Sequence, residues 1–390
     1  MRVLHVTEAS SAGVLTAVTT LVREQSQDPA FTDPVLAYVP RPDSPPTAAI
    51  RELTGDGAEV RAWSAGTPLR LLHLAAALLH TLRREQFDVI HLHSSKAGLL
   101  GRAVAAAAGA RHRTVYSPHC FSFDRSDIGA LRRAMFLALE RAALHLSPRL
   151  VLVSDSEARV ARTLLPRSRT AVVHNRVPVL VPEPAVPTAA AAAGTGPATA
   201  PGNDPDTGGL ASSDPLDASP ALVVHVGRIA TQKRPALFCE IAARVRAEQP
   251  QVRFRWIGDG DRDLLDPAVE TTGWLPAEQV REQLAEADLV LFTSAGEGLP
   301  MALLEAQALA RPVVASEVTG VTEVIDHHRT GLLGRTAEEL AHCTLTLLRD
   351  PQARERLGRH AAEQVRQKFD ARHLASDCLT AYRTLMKDTP

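Results

Sequence analysis

Two short apolar runs in residues 288–315 flank a loop and one helical segment. The runs, 288–292 and 313–315, have the length and composition of buried parallel strands. Between them the chain turns at two glycines, and Pro300 stands where a helix would begin, because proline has a preset φ and no amide to leave unpaired. This order predicts a βαβ unit whose loop lies at the carboxyl edge of a parallel sheet, beside a helix N-terminus.

A helix N-terminus at such an edge binds anions through its free amides and its dipole, and here two carboxylates frame it. Glu297 lies in the loop, and Glu305 lies about a turn and a half into the predicted helix. Carboxylates are poor ligands for phosphate, so we expect them to bind neutral hydroxyl groups beside the anion. A nucleotide sugar offers both partners, since a diphosphate separates its ribose from its hexose. The alternative is that both are surface glutamates on an ordinary βαβ loop.

A second loop with charged residues follows the apolar run 221–226. Arg228 can fork across two phosphate oxygens, whereas Lys233, five residues further on, acts as a point charge. Because this loop also follows a predicted strand, we expect it to contribute to the same anion site. The alternative is that both are solvated loop charges.

The sequence resembles glycosyltransferase family 4 at these positions. The resemblance rests on the spacing from Glu297 to Glu305, with Gly-Leu-Pro directly after the first glutamate. It rests also on Arg228 and Lys233, which match the residues that bind the donor diphosphate in that family. It covers most of the chain and is strongest over 222–333. It implies an α/β fold of two Rossmann-like domains that face each other across a cleft, the GT-B architecture, with a C-terminal helix that crosses back to the first domain.

The expected domains follow from this resemblance and from composition. Residues 1–180 are expected to form an N-terminal Rossmann-like domain that binds the acceptor, and residues 221–370 a second one that binds the nucleotide sugar. Residues 181–220 are rich in Pro, Ala and Gly and contain little that a core could bury, which predicts a disordered linker. Residues 371–390 are expected to form the helix that packs back toward the first domain.

The resemblance also implies the residues of the site. His119 and Glu297 are the implied catalytic residues, and Glu297 holds hexose hydroxyls as positive charge develops on the ring, rather than acting as a nucleophile. A purely structural loop histidine is the alternative for His119. The loops at Gly258 and Leu275 usually touch the nucleobase in this family, and Glu305 is expected to hold the ribose. The implied donor-binding residues are Gly13, Arg228, Lys233, Gly258, Leu275, Gly298, Leu299, Pro300, Met301 and Glu305.

The family retains the anomeric configuration, and its mechanism is usually described as front-face attack in which the leaving phosphate helps to take the acceptor's proton. The resemblance therefore implies a metal-independent reaction with no cofactor. In this reaction Arg228, Lys233 and the helix after Pro300 neutralise the departing diphosphate. His91 and His93 alternate on one predicted strand face, but no third ligand stands at a fixed spacing, so no metal site is predicted.

Uracil is the common base in this family, so a UDP-sugar is the expected donor, with UDP-N-acetylglucosamine or UDP-glucose favoured. Residues 93–102 (His-Ser-Ser-Lys-Ala-Gly-Leu-Leu-Gly-Arg) resemble a subset of the family that builds capsular and other surface polysaccharides, which favours a lipid-linked glycan as acceptor. A soluble secondary-metabolite core, such as an aminocyclitol antibiotic, is the alternative. A nucleotide-sugar epimerase, which shares the architecture but needs no acceptor, is an alternative of another class.

Composition limits the remaining partners. The formal net charge of −1 argues against a nucleic-acid-binding protein. The four cysteines lack metal-type spacing, and neither a signal peptide nor an apolar run of about 18 residues is present, so a cytoplasmic location is expected. Residues 1–180 nevertheless carry 22 basic and 15 acidic residues. Within them, 125–149 read as a basic amphipathic helix, which is either an ordinary solvated helix or a docking face for anionic lipid at the inner face of the membrane.

Overall fold

Aliphatic runs that are buried on both faces form most strands of two parallel sheets in the computed structural model. The structure describes residues 1–9, 12–63, 69–125, 127–179 and 220–387. The linker predicted at 181–220 therefore lies outside the described residues, except for Pro220. The described residues on either side of it form one compact unit.

The first sheet has seven parallel strands in the order β3-β2-β1-β4-β5-β6-β7. Each strand is followed by a helix or turn that returns the chain to the start of the next strand, as in a doubly wound fold. Its elements are β1 (Val3–Thr7), α1 (Ala12–Gln27), β2 (Val35–Tyr38), α2 (Thr47–Thr54), β3 (Glu59–Ala62), α3 (Arg70–Arg84), β4 (Val89–His93), α4 (Ser95–Ala107), β5 (Thr114–Ser117), α5 (Ala130–Ala143), β6 (Arg149–Leu152), α6 (Asp155–Leu164) and β7 (Arg169–Val172).

The second sheet has six parallel strands in the order β10-β9-β8-β11-β12-β13. Its elements are β8 (Leu222–Val226), α7 (Pro235–Glu248), β9 (Arg253–Ile257), β10 (Glu270–Thr271), α8 (Ala277–Glu286), β11 (Leu289–Phe292), α9 (Met301–Ala308), β12 (Val313–Ser316), β13 (Leu332–Gly334), α10 (Ala337–Arg349) and α11 (Pro351–Lys368). Together the two sheets confirm the predicted α/β fold of two Rossmann-like halves.

Some predicted helix boundaries are wrong. The sequence predicts a small-residue loop that ends at Gly13, but Gly13 lies in the first turn of α1. The basic helix predicted over 125–149 is confined to α5, because the Ser147 hydroxyl donates to the carbonyl of Thr114 at 2.7 Å and takes the chain out of the helix toward β6. Pro300 is the N-cap of α9 and not its first residue, because its ψ of 117° is extended.

The last helix, α12 (Leu374–Met386), crosses back to the first sheet, as predicted. Its buried face, which includes Leu374, Cys378 and Tyr382, packs in one cluster with strand residues of the first sheet such as Val89. Arg176, which follows β7, holds this return, because its guanidinium donates to the Asp377 carboxylate at 2.6 Å and to the Lys368 carbonyl at 2.8 Å. None of the described helices is both long enough and apolar enough to cross a membrane.

Candidate active site

The crevice of the second sheet lies between β8 and β11. These strands are neighbours, but the chain continues from β8 to β9 on one side and from β11 to β12 on the other, so the loops 227–234 and 293–300 diverge. Such a switch point is where open parallel sheets bind ligands. The two loops are tied together, since Ala295 donates its amide to the Gln232 carbonyl at 2.8 Å and the Thr293 hydroxyl donates to the Lys233 carbonyl at 2.8 Å.

Two of the predicted phosphate and sugar ligands meet at this crevice. Nζ of Lys233 lies 2.5 Å from Oε1 of Glu297, and both side chains are largely buried. The same ammonium lies 5.3 Å from the ring centroid of Phe292, which favours a cation there. Arg228 is half-buried, and its guanidinium has no hydrogen-bond or ion-pair partner among the described residues. Among the described residues, the crevice therefore combines the Lys233–Glu297 ion pair with the unpaired guanidinium of Arg228.

The N-terminus of α9 opens on the same crevice. No side chain of the described residues caps it, so its first-turn amides remain available to an anion. The segment before it, Gly298, Leu299 and Pro300, is buried, and so is Met301, the first residue of α9. A Cβ added at Gly298 would lie 3.0 Å from the Cys120 amide nitrogen, so this glycine permits close contact with the first domain.

Glycines also position the neighbouring loops. Gly320 has a φ of +80°, and an added Cβ would lie 2.5 Å from the carbonyl oxygen of Glu297, so only glycine allows this loop to support that residue. A Cβ at Gly258 would lie 2.2 Å from the Gly227 carbonyl oxygen. The amide of Gly258 donates to the Thr272 hydroxyl at 3.1 Å, which brings the two loops predicted to touch the nucleobase together.

The other predicted donor residues have different surroundings. Leu275 is half-buried and packs against the core beneath the crevice. Glu305 is half-buried on α9, and burial raises the pKa of its carboxyl while Arg281 opposes that shift. Gly13 is exposed, and a Cβ added there would meet no described atom within 4 Å. Gly13 therefore packs against none of the other candidate residues.

His119 belongs to a strained loop that follows β5. His119 has a φ of 52° and Cys120 a φ of 92°, values in the left-handed region that non-glycine residues rarely adopt. Glu157 on α6 holds this loop, since its Oε1 accepts from the Cys120 amide at 2.5 Å and its Oε2 from the Val153 amide at 3.0 Å. Burial raises the pKa of Glu157 to about 7, although both amides favour its charged form.

Sequence reasoning missed Glu157. Its one local signal is the spacing from Ser154, because Ser-x-x-Glu before a helix is a capping box. The Ser154 hydroxyl does accept from the Glu157 amide at 3.1 Å. That signal predicts where α6 begins, but it does not reveal that the carboxylate supports the loop of His119.

Two further residues that were missed join the domains. The Asn175 amide donates to the Leu299 carbonyl at 2.8 Å, directly before the N-terminus of α9. Glu323 of the second domain accepts from the Asp155 amide at 2.8 Å and from the amide and hydroxyl of Ser156. A carboxylate thereby caps α6 from across the cleft, where the helix dipole favours negative charge. No sequence pattern identifies these partners, because each is set by the packing of one domain on the other.

Two groups of side chains in the described part of the chain have the spacing of metal ligands. One is His5 with His91 and His93, so the third ligand that the sequence lacked comes from β1. Every ring nitrogen of this group already has a hydrogen-bond partner. The other group is Asp155, His174 and Glu323, in which the last carboxylate is engaged with α6.

The sequence matches two family models that lie on either side of the cleft. The model described as "Glycosyl transferase 4-like domain" matches residues 12–176, and the model described as "Glycosyl transferases group 1" matches residues 220–350. The chain belongs to the group 1, family 4-like glycosyltransferases, and it is therefore a transferase enzyme, as the sequence predicted.

Three relatives illustrate the similarity of this chain to known sequences. A protein of the cps region of Klebsiella pneumoniae is 24% identical over 85% of this chain and 86% of its own length. The alpha-D-kanosaminyltransferase of Streptomyces kanamyceticus is 31% identical over 44% of this chain and 47% of its own length. An Escherichia coli UDP-Gal:alpha-D-GlcNAc-diphosphoundecaprenol alpha-1,3-galactosyltransferase is 26% identical over 66% of this chain and 65% of its own.

A solved structure gives the same overall arrangement. Anabaena HepE in complex with UDP-glucose superposes with a TM-score of 0.70 at 19% identity, over 99% of this chain and 100% of that one. This likeness concerns the fold, and it confirms the GT-B architecture predicted from the sequence.

Proposed function

We propose that this enzyme transfers a hexose or N-acetylhexosamine from a UDP-sugar to a hydroxyl acceptor, with retention and without a metal ion. The observation that carries the proposal is the Lys233–Glu297 pair, 2.5 Å apart at the switch point of the second sheet. A cation suited to a diphosphate there touches a carboxylate suited to sugar hydroxyls. Arg228 and the uncapped N-terminus of α9 supply further positive charge for the departing UDP.

The pair also gives donor binding a defined first step. The diphosphate attracts Lys233 away from Glu297, because two phosphate groups offer more negative charge than one carboxylate. Glu297 is then released to accept hydrogen bonds from the hexose, and it stabilises the positive charge that develops on the ring. Glu305, whose carboxylate has no hydrogen-bond partner among the described residues, binds the ribose.

A uridine nucleotide is supported by the relatives, since HepE was solved with UDP-glucose and the E. coli relative is named for UDP-Gal. The test is calorimetric titration with UDP-, GDP- and dTDP-sugars, led by UDP-N-acetylglucosamine and UDP-glucose. We expect one UDP-sugar to bind and to release UDP slowly without acceptor. Glu305→Ala is expected to weaken UDP and the UDP-sugar equally, because the ribose is common to both.

Two results would contradict this proposal. Absence of binding to every sugar nucleotide removes the donor-site assignment altogether. Appearance of a second free sugar nucleotide during incubation with donor alone would instead favour the epimerase.

For the acceptor, the surface of the first domain favours a lipid-linked glycan over a soluble core. Helix α4 packs between α3 and α5, so the outer sides of these three helices form one surface, here called the cationic face. Large apolar side chains are exposed on it: Leu71, Leu72, Leu131, Met135 and Leu139. Most of them lie in the first turns of α3 and α5, which start at the carboxyl edge of the sheet, beside the cleft. Apolar groups near the acceptor entrance suit a lipid substrate.

The charge of this face is of one sign. Its exposed charged residues are Arg83, Arg84, Lys96, Arg132, Arg133 and Arg141. The only acidic residue in the three helices, Glu140, is buried and paired with the buried Arg102 at 2.7 Å. Exposed cations combined with exposed leucines are the pattern of a protein that rests on anionic lipid.

The motif at 93–102 supports this surface, because its residues pack on the inner side of α4 and α5. Arg102 lies 4.4 Å from the ring centroid of Tyr116, and the Tyr116 hydroxyl donates to Glu140 at 3.2 Å. A Cβ at Gly98 would lie 2.1 Å from the same ring, so the glycine lets α4 approach the sheet. These contacts fix the inner side of α5 and turn its apolar and basic side outward.

Co-sedimentation with vesicles tests this part of the proposal. We expect binding to vesicles with 30% phosphatidylglycerol, at least about 30-fold weaker binding for Arg132→Glu/Arg133→Glu, and no binding to neutral vesicles, since each of the two lost basic residues contributes about 1 kcal/mol near the surface. Arg356→Glu/Arg359→Glu, which changes two exposed arginines of α11, is the matched control. Equal binding by both variants would favour a soluble acceptor.

A further inference from the structure

The first domain contains a continuous chain of buried hydrogen bonds that ends at His119. Its side chains come from β1, α1, β4, β5 and α12, and all except His119 are buried. The chain starts at the carbonyl of Val151 on β6 and passes through Ser117, His91, Tyr382, Gln25, His5, His93 and His119. Gln25 and Tyr382 are 357 residues apart in the sequence.

The Val151 end sets the direction of the proton donors. A backbone carbonyl only accepts, so the Ser117 hydroxyl donates to it, at 2.5 Å. Ser117 then accepts from Nε2 of His91 at 2.8 Å. A neutral histidine carries one ring proton, so Nδ1 of His91 is bare and accepts from the Tyr382 hydroxyl at 2.7 Å.

The same reasoning fixes the donor and the acceptor of each remaining hydrogen bond as far as the cleft. The Tyr382 oxygen accepts from the Gln25 amide at 3.4 Å, and the Gln25 carbonyl oxygen accepts from Nε2 of His5 at 2.8 Å. Nδ1 of His5 is therefore bare and accepts from Nε2 of His93 at 3.0 Å. Nδ1 of His93 is bare in turn and accepts from Nε2 of His119 at 3.0 Å.

This order of donors holds only for neutral histidines, because a charged ring donates from both nitrogens. Burial meets this requirement, since it lowers the pKa of His5 and of His119 to about 4 and the pKa of His91 and His93 well below the usual value. The Cys378 thiol also lies against Tyr382 and Gln25, but a thiol is a weak hydrogen-bonding group and leaves the order unchanged.

A metal site does not account for these histidines. The three rings with metal-like spacing, His5, His91 and His93, have both nitrogens engaged in the chain. Binding of an ion would break at least two of these bonds within the core. The ordered chain satisfies both ring nitrogens of His5, His91 and His93, as buried polar groups require.

We propose that this chain fixes His119 as the Nε2–H tautomer and leaves Nδ1 as a hydrogen-bond acceptor for a hydroxyl of the bound substrate. Nδ1 of His119 has no partner among the described residues, and its loop touches the second domain at Gly298. Gln25, His5 and His93 are thus positioning residues that act through His119. The role of Nδ1 of His119 as an acceptor for substrate rests on the proposed glycosyl transfer. The assignment of the Nε2–H tautomer is independent of that function.

The test is nitrogen NMR of protein labelled with 15N-histidine, in which bare and protonated ring nitrogens have distinct shifts. The chain has 15 histidines, so the His119 signals are assigned by their loss in His119→Gln. We expect Nε2 to be protonated and Nδ1 bare in the unaltered protein. A protonated Nδ1 overturns the proposal, whatever the activity.

A variant of Gln25 tests the coupling. Gln25→Met keeps the volume but removes the acceptor for His5, so the Nδ1–H form of His119 is expected to appear. We expect kcat to fall about 10-fold, because one substrate hydrogen bond is lost, with UDP affinity unchanged. Cys378→Ala, which alters the same buried cluster outside the chain, is expected to leave tautomer and kcat unchanged. An unchanged tautomer in a folded Gln25→Met protein would also overturn the proposal.

Discussion

The carboxyl edges of the two sheets are built in opposite ways. The edge of the second sheet holds charged residues in short loop motifs, such as Lys233 and Glu297, which lie 64 residues apart and 2.5 Å from each other. The edge of the first sheet holds neutral, buried groups, in which His119 is the end of a chain that reaches Tyr382 on the last helix. The first arrangement suits the charge of a diphosphate, and the second suits the orientation of a hydroxyl.

This difference implies that the second edge mainly supplies binding energy for the donor, whereas the first edge mainly orients His119. Charges at the second edge act at short range on a charged ligand, so their removal is expected to affect affinity or rate directly. Neutral groups at the first edge act through one another, so their removal is expected to change the state of His119 before it changes any contact with substrate. The predictions that follow test this division, from the largest expected effect to the smallest.

Lys233→Ala is expected to lower kcat/KM by about 100- to 1,000-fold, mainly through a higher donor KM. The reason is that the diphosphate loses a cation and meets an unpaired Glu297. Steady-state kinetics with the preferred UDP-sugar provide the measurement. Lys368→Ala, at an exposed lysine of α11, is the control. A donor KM equal to that of the unaltered enzyme would remove Lys233 from the donor site.

Glu297→Ala is expected to lower kcat by about 100-fold with a smaller change in donor KM. The carboxylate is most needed when positive charge develops on the sugar ring, and its loss also frees Lys233 for the diphosphate. Single-turnover rates at saturating donor separate chemistry from binding. A change confined to KM would show that Glu297 contributes only to ground-state binding.

The buried histidines are expected to make the first domain labile to acid. The pKa of His5 and His119 falls from 6.5 in the unfolded chain to about 4 in the fold, so unfolding takes up protons between these values. The free energy of unfolding therefore decreases as pH falls from 6.5 to 4, by about 1.4 kcal/mol per pH unit for each such histidine. Urea denaturation across this range provides the measurement. A flat profile would mean that these rings are charged in the folded protein.

Glu157 is expected to produce a pH dependence of the opposite sign. Its pKa is raised from 4.5 to about 7, so the folded state keeps a proton that the unfolded chain releases. Stability attributable to this residue therefore falls as pH rises from 4.5 to 7, by about 1.4 kcal/mol per pH unit. The difference in unfolding free energy between the unaltered protein and Glu157→Gln isolates this contribution. A difference that is constant over the same range would contradict it.

Glu323→Gln is expected to have the smallest effect, about a fivefold rise in donor KM. The substitution weakens the cap on α6 by about 1 kcal/mol, and that cap is a bond between the domains. Glu317→Gln, which alters an exposed ion pair with Arg335 in the same domain, is the control. Equal KM values in the two variants would show that the cap does not contribute to closure of the cleft.

Much of the fold was predictable because its strands are short, apolar and bounded by loops with glycine. Residues 40–62 received no prediction, and α2 and β3 form there, because β3 has only one buried residue and presents no apolar run. Helix α5 is shorter than predicted because of the tertiary hydrogen bond from Ser147 to Thr114. Helix α9 starts later than predicted because Pro300 has an extended ψ. The roles of the site residues stay predictions, and Gly13, in the first turn of α1, packs against none of the others.

The sequence by itself determined the family, the two-sheet fold and the charged motifs of the second domain, because each depends on residues that are close together in the chain. Only the tertiary structure showed which residues hold the loop and the ring of His119. Glu157, Glu323 and Gln25 carry no motif for their partners, since each partner comes from a distant element that packing brings within 3.5 Å. Hydrogen bonds between buried neutral groups leave no spacing or charge pattern in a sequence, and they become visible only when the chain has folded.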